Sequence, residues 1–571
     1  METERVSWWS HWRELADYIL PTRPRWFTTD SSRGSRKNTK IYDSTATYAA
    51  EALSSAMMGG ITSPARPWFR LTVIDPELAE NTMVQNWLHE VTKRMQTDFL
   101  RGNLYDTLPE LYQDLSVFGT SVMYVEEDLG KVSRFYVLPI GSYMLANDEK
   151  NRVSVLYREF RMTVRQIVNK FAELDADGNP KWDNISSFVR SQWENKQYET
   201  WVEINHFVLP NEEYDPNRLE SRYKRWRSVY YERGGYSNQA GGKGTFAAGW
   251  GGGDQDKILR DSGFDFFPVL APRWGKSGED IYGTDCPGMK ALGDIKALQL
   301  LHKRKAQALD KQLNPPMNAP MNMKRGNLGI LPGHINFQKE GQQKFEPVYQ
   351  VTPQLNDVRL DILDHQNRIT RMFFLDIIMM LLVRDRRERT ATEVQELQEE
   401  RLLQLGRLLE RLNEELLNPL IDAQFLLMLQ QGRVPPIPNE LMGVELKVEY
   451  LSVMAQAQKL VALSGIERFV AFVGQVASAD PAVLDKWDRD QTVDEYAEIT
   501  GVPPSIRVPD EQVMQIRQAR ERLKAAVQAT GSAREQAATM KDLSQAKIDP
   551  DSALGRLAEQ AEAGAVAEVA P

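Results

Sequence analysis

At 571 residues and 65.3 kDa the chain exceeds one ordinary domain, so several sub-domains around a shared core are expected. Its 42% hydrophobic and 26% charged residues describe a soluble globular protein, and a net charge of -9 with a pI near 5.5 excludes a protein that coats nucleic acid by bulk positive charge, while leaving room for a local basic site. Cys286 is the only cysteine, which excludes an intrachain disulfide and a cysteine-rich metal site and points to a reducing compartment.

Residues 1–20 read as an amphipathic helix stopped by Pro21 and Pro24. The stretch is aromatic and charged throughout, with no secretory apolar core, so export is not expected. A polar loop rich in serine and arginine leads to a second helix from Asp43 to Gly59-Gly60, after which ITSPARPWFRLTV turns and becomes a strand. Helices follow at about 83–101 and 106–118, and SVMYVEE, RFYVLPI and VSVLYREF alternate like strands of a small sheet. Thr163 with Gln166 makes a capping box that opens another helix. The pattern from Trp201 to Tyr231 is strand-like again. Residues 234–253 form an insert too glycine-rich to offset its ordering entropy, expected to be a mobile loop, and GFDFFPVLAPRW returns the chain to the sheet.

Two long helices dominate the middle of the chain. The first runs from Pro287 to Leu313, with Asp285 as a cap and Asn314-Pro315-Pro316 as its stop; the second runs from Pro353 to Val383, capped by Thr352. At helical rise they are roughly 40 and 45 Å long. Leu292, Ile295, Leu298, Leu301 and Leu309 line one side of the first, and Val358, Ile362, Ile369 and Met372 or Phe373 form a narrow stripe on the second, flanked by charge. Such stripes call for a partner, either copies of the same helices packed laterally or an intramolecular hairpin. Between them, 314–352 is a distinct insertion, with Met317, Met321 and Met323 among prolines and short strand candidates at INF, ending in Phe337, and at KFEPVYQ.

After the second helix comes Arg384-Asp385-Arg386-Arg387-Glu388-Arg389, then a capping box at Thr390 and Glu393 that starts a helix with leucines at 402, 405, 409, 412, 416 and 420, stopped at Gln431-Gly432. Residues 453–475 and 481–498 look helical, 509–529 is a polar helix, and from about Thr530 the composition is alanine, glutamate and glutamine.

No chemistry of an enzyme emerges. Gly241-Gly242-Lys243-Gly244-Thr245 lacks the glycine, strand and helix of a phosphate-binding loop. The six histidines have no metal-ligand spacing, no Gly-x-Ser-x-Gly elbow occurs, and no cofactor or metal is expected. The apolar run from Met372 to Val383 is too short to cross a membrane and contains Asp376. The arginine turn carries four positive and two negative charges. It reads either as a solvated connection between helices or as a phosphate-contacting loop held out from a rigid body.

Six segments in order, WRELADYILPTRPRW, IYDSTATYAAEALSSAMMGGITSPARPWFRL, LYQDLSVFGTSVMYV, YGTDCPGMKALGDIKALQ, NPPM and RTATEVQELQEERL, resemble the head-to-tail connector, or portal, proteins of short-tailed phages. The resemblance spans about residues 12–432. The glycine-rich insert and the carboxy-terminal tail fall outside it.

That resemblance implies an α+β, mainly helical portal fold assembling as a twelve-subunit ring at one capsid vertex of the virion, put together in the host cytoplasm. It implies a wing at 1–286, a stem of two helices at 287–313 and 353–383, a clip at 314–352, a channel loop at 384–390, and wing and crown helices at 391–475 and 476–530. Residues 531–571 would be a barrel helix or a disordered tail. The ring would conduct double-stranded DNA during packaging and ejection and dock the packaging terminase, a tail adaptor, and the major capsid and scaffolding proteins. No membrane is implied. Arg384, Arg386, Arg387 and Arg389 would touch phosphates, with Lys303, Lys305, Arg368 and Arg371 as weaker candidates, and Met317, Met321, Met323 and Phe337 would face clip partners or form a clip core between subunits. A helical scaffold protein of the virion, or a DNA-processing enzyme subunit, are the competing readings.

Overall fold

The structure is a computed structural model that describes residues 1–25, 37–75, 78–79, 81–175, 178–232, 258–313, 317–318, 346–347, 355–375, 406–444, 446–451, 453–477, 481–500, 508, 513–522 and 524. The chain divides into two compact units, Met1–Thr500 and Gly501–Pro571. In the second, residues 513–522 are helical, inside the predicted polar helix.

The first unit opens with helices α1 (Glu2–Tyr18), α2 (Thr45–Ile61), α3 (Thr82–Arg101) and α4 (Leu104–Phe118), with strand β1 (Phe69–Val73) between α2 and α3. Local chemistry sets their ends. The Asn81 side chain accepts the Met83 amide at the start of α3, and α4 stops where Gly119 takes φ +76°, a left-handed conformation that suits a residue without Cβ.

Strands β2 (Val122–Asp128) and β3 (Val132–Leu138) form an antiparallel hairpin, and β9 (Val269–Leu270) pairs with β2 to complete a three-stranded sheet. A separate antiparallel sheet of five strands runs β4 (Tyr143–Asn147), β5 (Val153–Thr163), β6 (Trp201–Pro210), β7 (Trp226–Glu232) and β8 (Ile258–Phe264), each beside the next. The expectation of one small sheet therefore splits in two. Helices α5 (Val164–Phe171) and α6 (Ser187–Glu194) lie between β5 and β6 in sequence and cover one face of this sheet, with Val164, Ile167 and Val189 in one buried cluster with Ile204 of β6. The capping box at the start of α5 is present, with the Thr163 amide donating to Gln166 and the Gln166 amide to Thr163 Oγ1.

Next come the two long helices, α7 (Pro287–Leu313) and α8 (Leu355–Met372), with β10 (Met317–Asn318) and β11 (Glu346–Pro347) paired antiparallel between them. The periodicity of both helices survives. Leu292, Ile295 and Leu298 of α7 and Ile362 and Ile369 of α8 are buried in one core, so the stripes meet within one chain. Two details differ from expectation. The α7 start is capped by Cys286, whose Sγ accepts the Met289 amide at 3.4 Å, because Asp285 is turned toward Lys290, 2.8 Å away. The second helix is interrupted after Met372, where Phe373 is buried and Phe374, at φ +56°, stacks on Trp274 with ring centroids 6.1 Å apart, and the predicted stretch from 376 to 383 lies outside the described residues.

The leucine helix is described from 406 onward. It includes a π-helical turn, Asn413–Leu417, and continues as α9 (Asn418–Gln430) to Gly432, at φ +67°, the predicted stop. Pro419 explains the wide turn, since it has no amide hydrogen for the Glu415 carbonyl and its ring presses on that carbonyl. Leu409, Leu412, Leu416 and Leu420 are buried as their spacing requires. Strand β12 (Leu446–Tyr450), absent from the predicted elements, pairs with β1 in register Phe69↔Tyr450 to Val73↔Leu446. Helices α10 (Val453–Ala477) and α11 (Arg489–Thr500) end the unit, with a 3-10 turn at Pro481–Lys486 between them.

Candidate nucleic-acid interface and the root of the long helices

The first four segments that carry the resemblance lie far apart in sequence and meet around the start of α7, whereas RTATEVQELQEERL, and NPPM up to Pro316, lie outside the described residues. Gly283 approaches Gly119 so closely that a Cβ on Gly283 would overlap the Gly119 carbonyl. The Gly283 amide donates to Thr120 Oγ1 at 2.7 Å, and a Cβ on Gly288 would lie 2.7 Å from the Val117 oxygen. The Cys286 thiol donates to that same Val117 carbonyl at 3.2 Å. Backbone thus packs on backbone, and only glycine permits it.

The amino-terminal segment joins the same root. The Trp12 ring meets Tyr282 edge-on at 4.9 Å, and the Tyr282 hydroxyl accepts the Leu145 amide at 3.2 Å. Arg23 donates from Nε to both oxygens of buried Asp114, at 2.8 and 3.0 Å, and from Nη1 to Glu110 at 3.0 Å. Thr62, just after α2, shares a 3.0 Å hydrogen bond with Tyr112 of α4.

A polar network then fixes the helix pair to the body. The buried Gln299 side chain accepts the Tyr42 and Asp43 amides at 2.6 and 2.8 Å and donates to the Asp43 carbonyl at 2.8 Å. Gln366 of α8 donates to Asp43 Oδ2 at 2.9 Å, and His302 Nε2 lies 3.2 Å from the same oxygen. Burial pushes the Asp43 carboxyl up, yet hydrogen bonds from Thr45 and Gln366 and the nearby His302 outweigh it and hold Asp43 below its ordinary value. Between the helices, His365 Nδ1 sits 2.8 Å from Asp294 Oδ1, with Arg368 3.4 Å from that oxygen.

Behind this root, Arg273 is 1% exposed and binds Glu415 of the π-helical turn. Its Nη2 lies 2.5 Å from Oε1 and its backbone amide donates to Oε2 at 2.8 Å, while Nη1 and Nη2 also donate to the carbonyls of Ile281 and Asn151. Neither residue stands out in the sequence, and no local pattern links them. A charge inside an apolar helix repeat, as at Glu415, is the one available signal.

The predicted site residues are placed unevenly. Lys303 is exposed and Lys305 half-buried on α7; Arg368 and Arg371 are exposed on α8. Arg368 is held by Asp364 at 2.5 Å as well as by Asp294. Met317 is in β10, opposite Pro347. Arg384, Arg386, Arg387, Arg389, Met321, Met323 and Phe337 lie outside the described residues, as does the insert at 234–253. Among the described residues no group of three or more His, Cys, Asp or Glu is placed to hold a metal, and no helix is long and apolar enough to cross a membrane.

Residues 1–249 and 237–507 match the family described as bacteriophage head to tail connecting protein. The chain is 44% identical over 563 residues to the portal protein of Salmonella phage epsilon15, covering 98% of this chain and 96% of that protein. It is 39% identical over 522 residues to the probable portal protein of Bordetella phage BPP-1, covering 91% and 89%. A solved chain from the neck of an empty GTA particle computed with C6 symmetry aligns over 76% of this chain and 86% of its own, at 11% identity and a TM-score of 0.32, a likeness too slight to bear on the fold. The match to the family over most of the sequence, and two relatives of this identity across nearly their whole length, establish that the chain belongs to the bacteriophage head to tail connecting proteins.

Proposed function

We propose that the protein is the portal subunit of a phage virion, that twelve copies close into a ring at one capsid vertex, and that double-stranded DNA passes through the ring during packaging and ejection. The near full-length relation to two portal proteins carries this reading. The architecture supports it: α7 and α8 make a paired shaft whose root is locked into the body by Gly119, Gly283, Gln299 and Asp43. In this reading the body is the wing, the shaft is the stem, and 314–352 is the clip, which docks the packaging terminase and then a tail adaptor. The segment 384–390 is the channel loop, and the helices toward 530 are the crown. Major capsid and scaffolding proteins surround the wing, and assembly takes place in the host cytoplasm.

Duplex DNA presents about one negative charge per 1.7 Å of axis, so a uniformly basic bore would hold a moving genome fast. A few cations on an acidic protein give brief, sequence-independent phosphate contacts instead. Arg384, Arg386, Arg387 and Arg389 are the proposed contacts. Of the others, Lys303, Lys305 and Arg371 remain candidates, and Arg368, held by two carboxylates, is the weakest. Replacing the four turn arginines with alanine is expected to leave rings intact and to lower packaged or retained DNA, measured as genome content per particle. Unchanged DNA content in such particles overturns the assignment.

A further inference from the structure

The two sheets of the body meet along a row of polar side chains. Across the five-stranded sheet, Arg158 of β5, His206 of β6, Tyr230 of β7 and Arg260 of β8 stand opposite one another in register, so their side chains share one face. Across the three-stranded sheet Tyr124 opposes Tyr136 and Glu126 opposes Arg134, again on one face. The two faces are in contact: the Arg158 guanidinium lies 4.4 Å from the centre of the Tyr124 ring, and the Tyr124 and Tyr230 hydroxyls are 3.4 Å apart. Lys170 of α5 closes one side, 2.8 Å from Glu126 and 5.8 Å from the centre of the Tyr230 ring.

The charges of this cleft do not balance. Arg158, Lys170 and Arg260 all bear on His206, and Arg134 and Lys170 bear on the Tyr136 hydroxyl, which puts four cations around one cleft. Of the carboxylates on the same faces, Glu126 is taken by Lys170, and buried Glu232 accepts the amide and the hydroxyl of Ser186 at 3.3 and 2.6 Å. Among the described residues no carboxylate lies within 4 Å of Arg134, Arg158 or Arg260. Arg158 is half-buried and donates from Nε to His206 and from Nη2 to Tyr230, which leaves Nη1 without an acceptor among the described residues. On a chain with a net charge of -9, three such arginines at one cleft are a place for an anion that comes from elsewhere. The shape selects which anion. The Arg158 guanidinium packs against the rings of Tyr124 and Phe160, and the floor of Tyr124, His206 and Tyr230 is buried. A carboxylate is planar, as a guanidinium is, and on a flexible side chain it reaches down to Nη1 alongside those rings. A phosphate of duplex DNA is held at the rim by the strand it belongs to, above that floor.

We infer that the cleft between the two sheets binds an acidic side chain of another protein, presented on an extended segment, with Arg158 as the inner contact and Arg134 and Arg260 at the rim. The site is built within one chain, so it stands whether or not the ring reading does.

The test uses the purified full-length protein and a fluorescein-labelled oligoglutamate peptide, with binding read by fluorescence anisotropy at low salt. Arg158→Lys removes the fork at the inner contact, Arg134→Glu and Arg260→Glu reverse the rim, and Lys93→Glu, on the exposed side of α3, is the control. The peptide is expected to bind the parent and the control alike, to bind each cleft variant about tenfold more weakly, and to weaken as salt rises. Arg134 and Arg260 are exposed and their side chains make no hydrogen bond among the described residues, so their variants keep the test readable if Arg158→Lys lowers stability. Equal affinity for the parent and the rim variants overturns the site, as does failure of the parent to bind. A duplex DNA probe run beside the peptide is expected to be insensitive to the cleft variants, and loss of duplex binding in them overturns the choice of a carboxylate in favour of a nucleic-acid backbone. Displacement of the peptide by inorganic phosphate, under conditions where chloride at equal ionic strength leaves it bound, overturns the partner protein in favour of a free ion.

Discussion

Gly119 and Gly283 meet backbone to backbone, 164 residues apart in sequence, where the end of α4 abuts the approach to α7. The opposing atoms are main-chain atoms on both sides, so no side chain can swing away to make room. Gly283→Ala is expected to destabilise the protein by about 1–3 kcal/mol, the ordinary cost of overpacking a tight core. A urea midpoint for the variant equal to that of the parent contradicts this. Gly293→Ala, which meets no atom within 4 Å, is the control and is expected to be neutral or slightly stabilising.

Arg273 and Glu415 tie the segment before α7 to the π-helical turn before α9. Removing one partner leaves the other charge buried, so Glu415→Gln or Arg273→Met is expected to cost about 3–5 kcal/mol. The double variant is expected to be less destabilised than the sum of the two, and additivity in a denaturation cycle contradicts the pairing.

His206 is buried in the five-stranded sheet. Its Nδ1 accepts from Arg158 Nε at 2.9 Å, which fixes the proton on Nε2 facing Ser228 Oγ at 2.8 Å, and its ring stacks on Tyr230 at 3.8 Å. Burial, then the charges of Arg158, Lys170 and Arg260, hold its pKa well below the ordinary 6.5. The unfolded state therefore binds the extra proton first. The stability contributed by neutral His206 is full above about pH 6.5 and falls as pH drops, at up to about 1.4 kcal/mol per pH unit. His206→Asn is expected to flatten that dependence in urea titrations between pH 5 and 8; an unchanged slope contradicts it.

The Cys286 thiol is buried, and desolvation pushes it up to about 12. It is expected to resist alkylation at pH 8 in the folded protein and to react fully in denaturant, read by mass spectrometry. Rapid modification of the native protein contradicts its burial.

What the sequence made legible was local. The capping box at Thr163 and Gln166, the stop at Gly432, the leucine spacing through Leu420 and the extent of α7 are each set by residues a few positions apart. What escaped depends on distant partners. β12 has alternating Val444, Leu446, Val448 and Tyr450, yet a five-residue strand whose mate is β1, near residue 70, gives little sign of itself next to a strong helical pattern. The break at Phe374 follows from Trp274, and the cap at Cys286 follows from Asp285 being engaged elsewhere. The segments of the family resemblance were legible as motifs, but the convergence of the first four on the root of α7 required the fold. The arginine turn remains a proposal from sequence, since it lies outside the described residues.

The most direct test of the account is an image of the purified full-length protein viewed along its symmetry axis, at several concentrations and ionic strengths. Closed rings of identical subunits around a central opening are the expected result. A monomer of 65.3 kDa under every condition contradicts it.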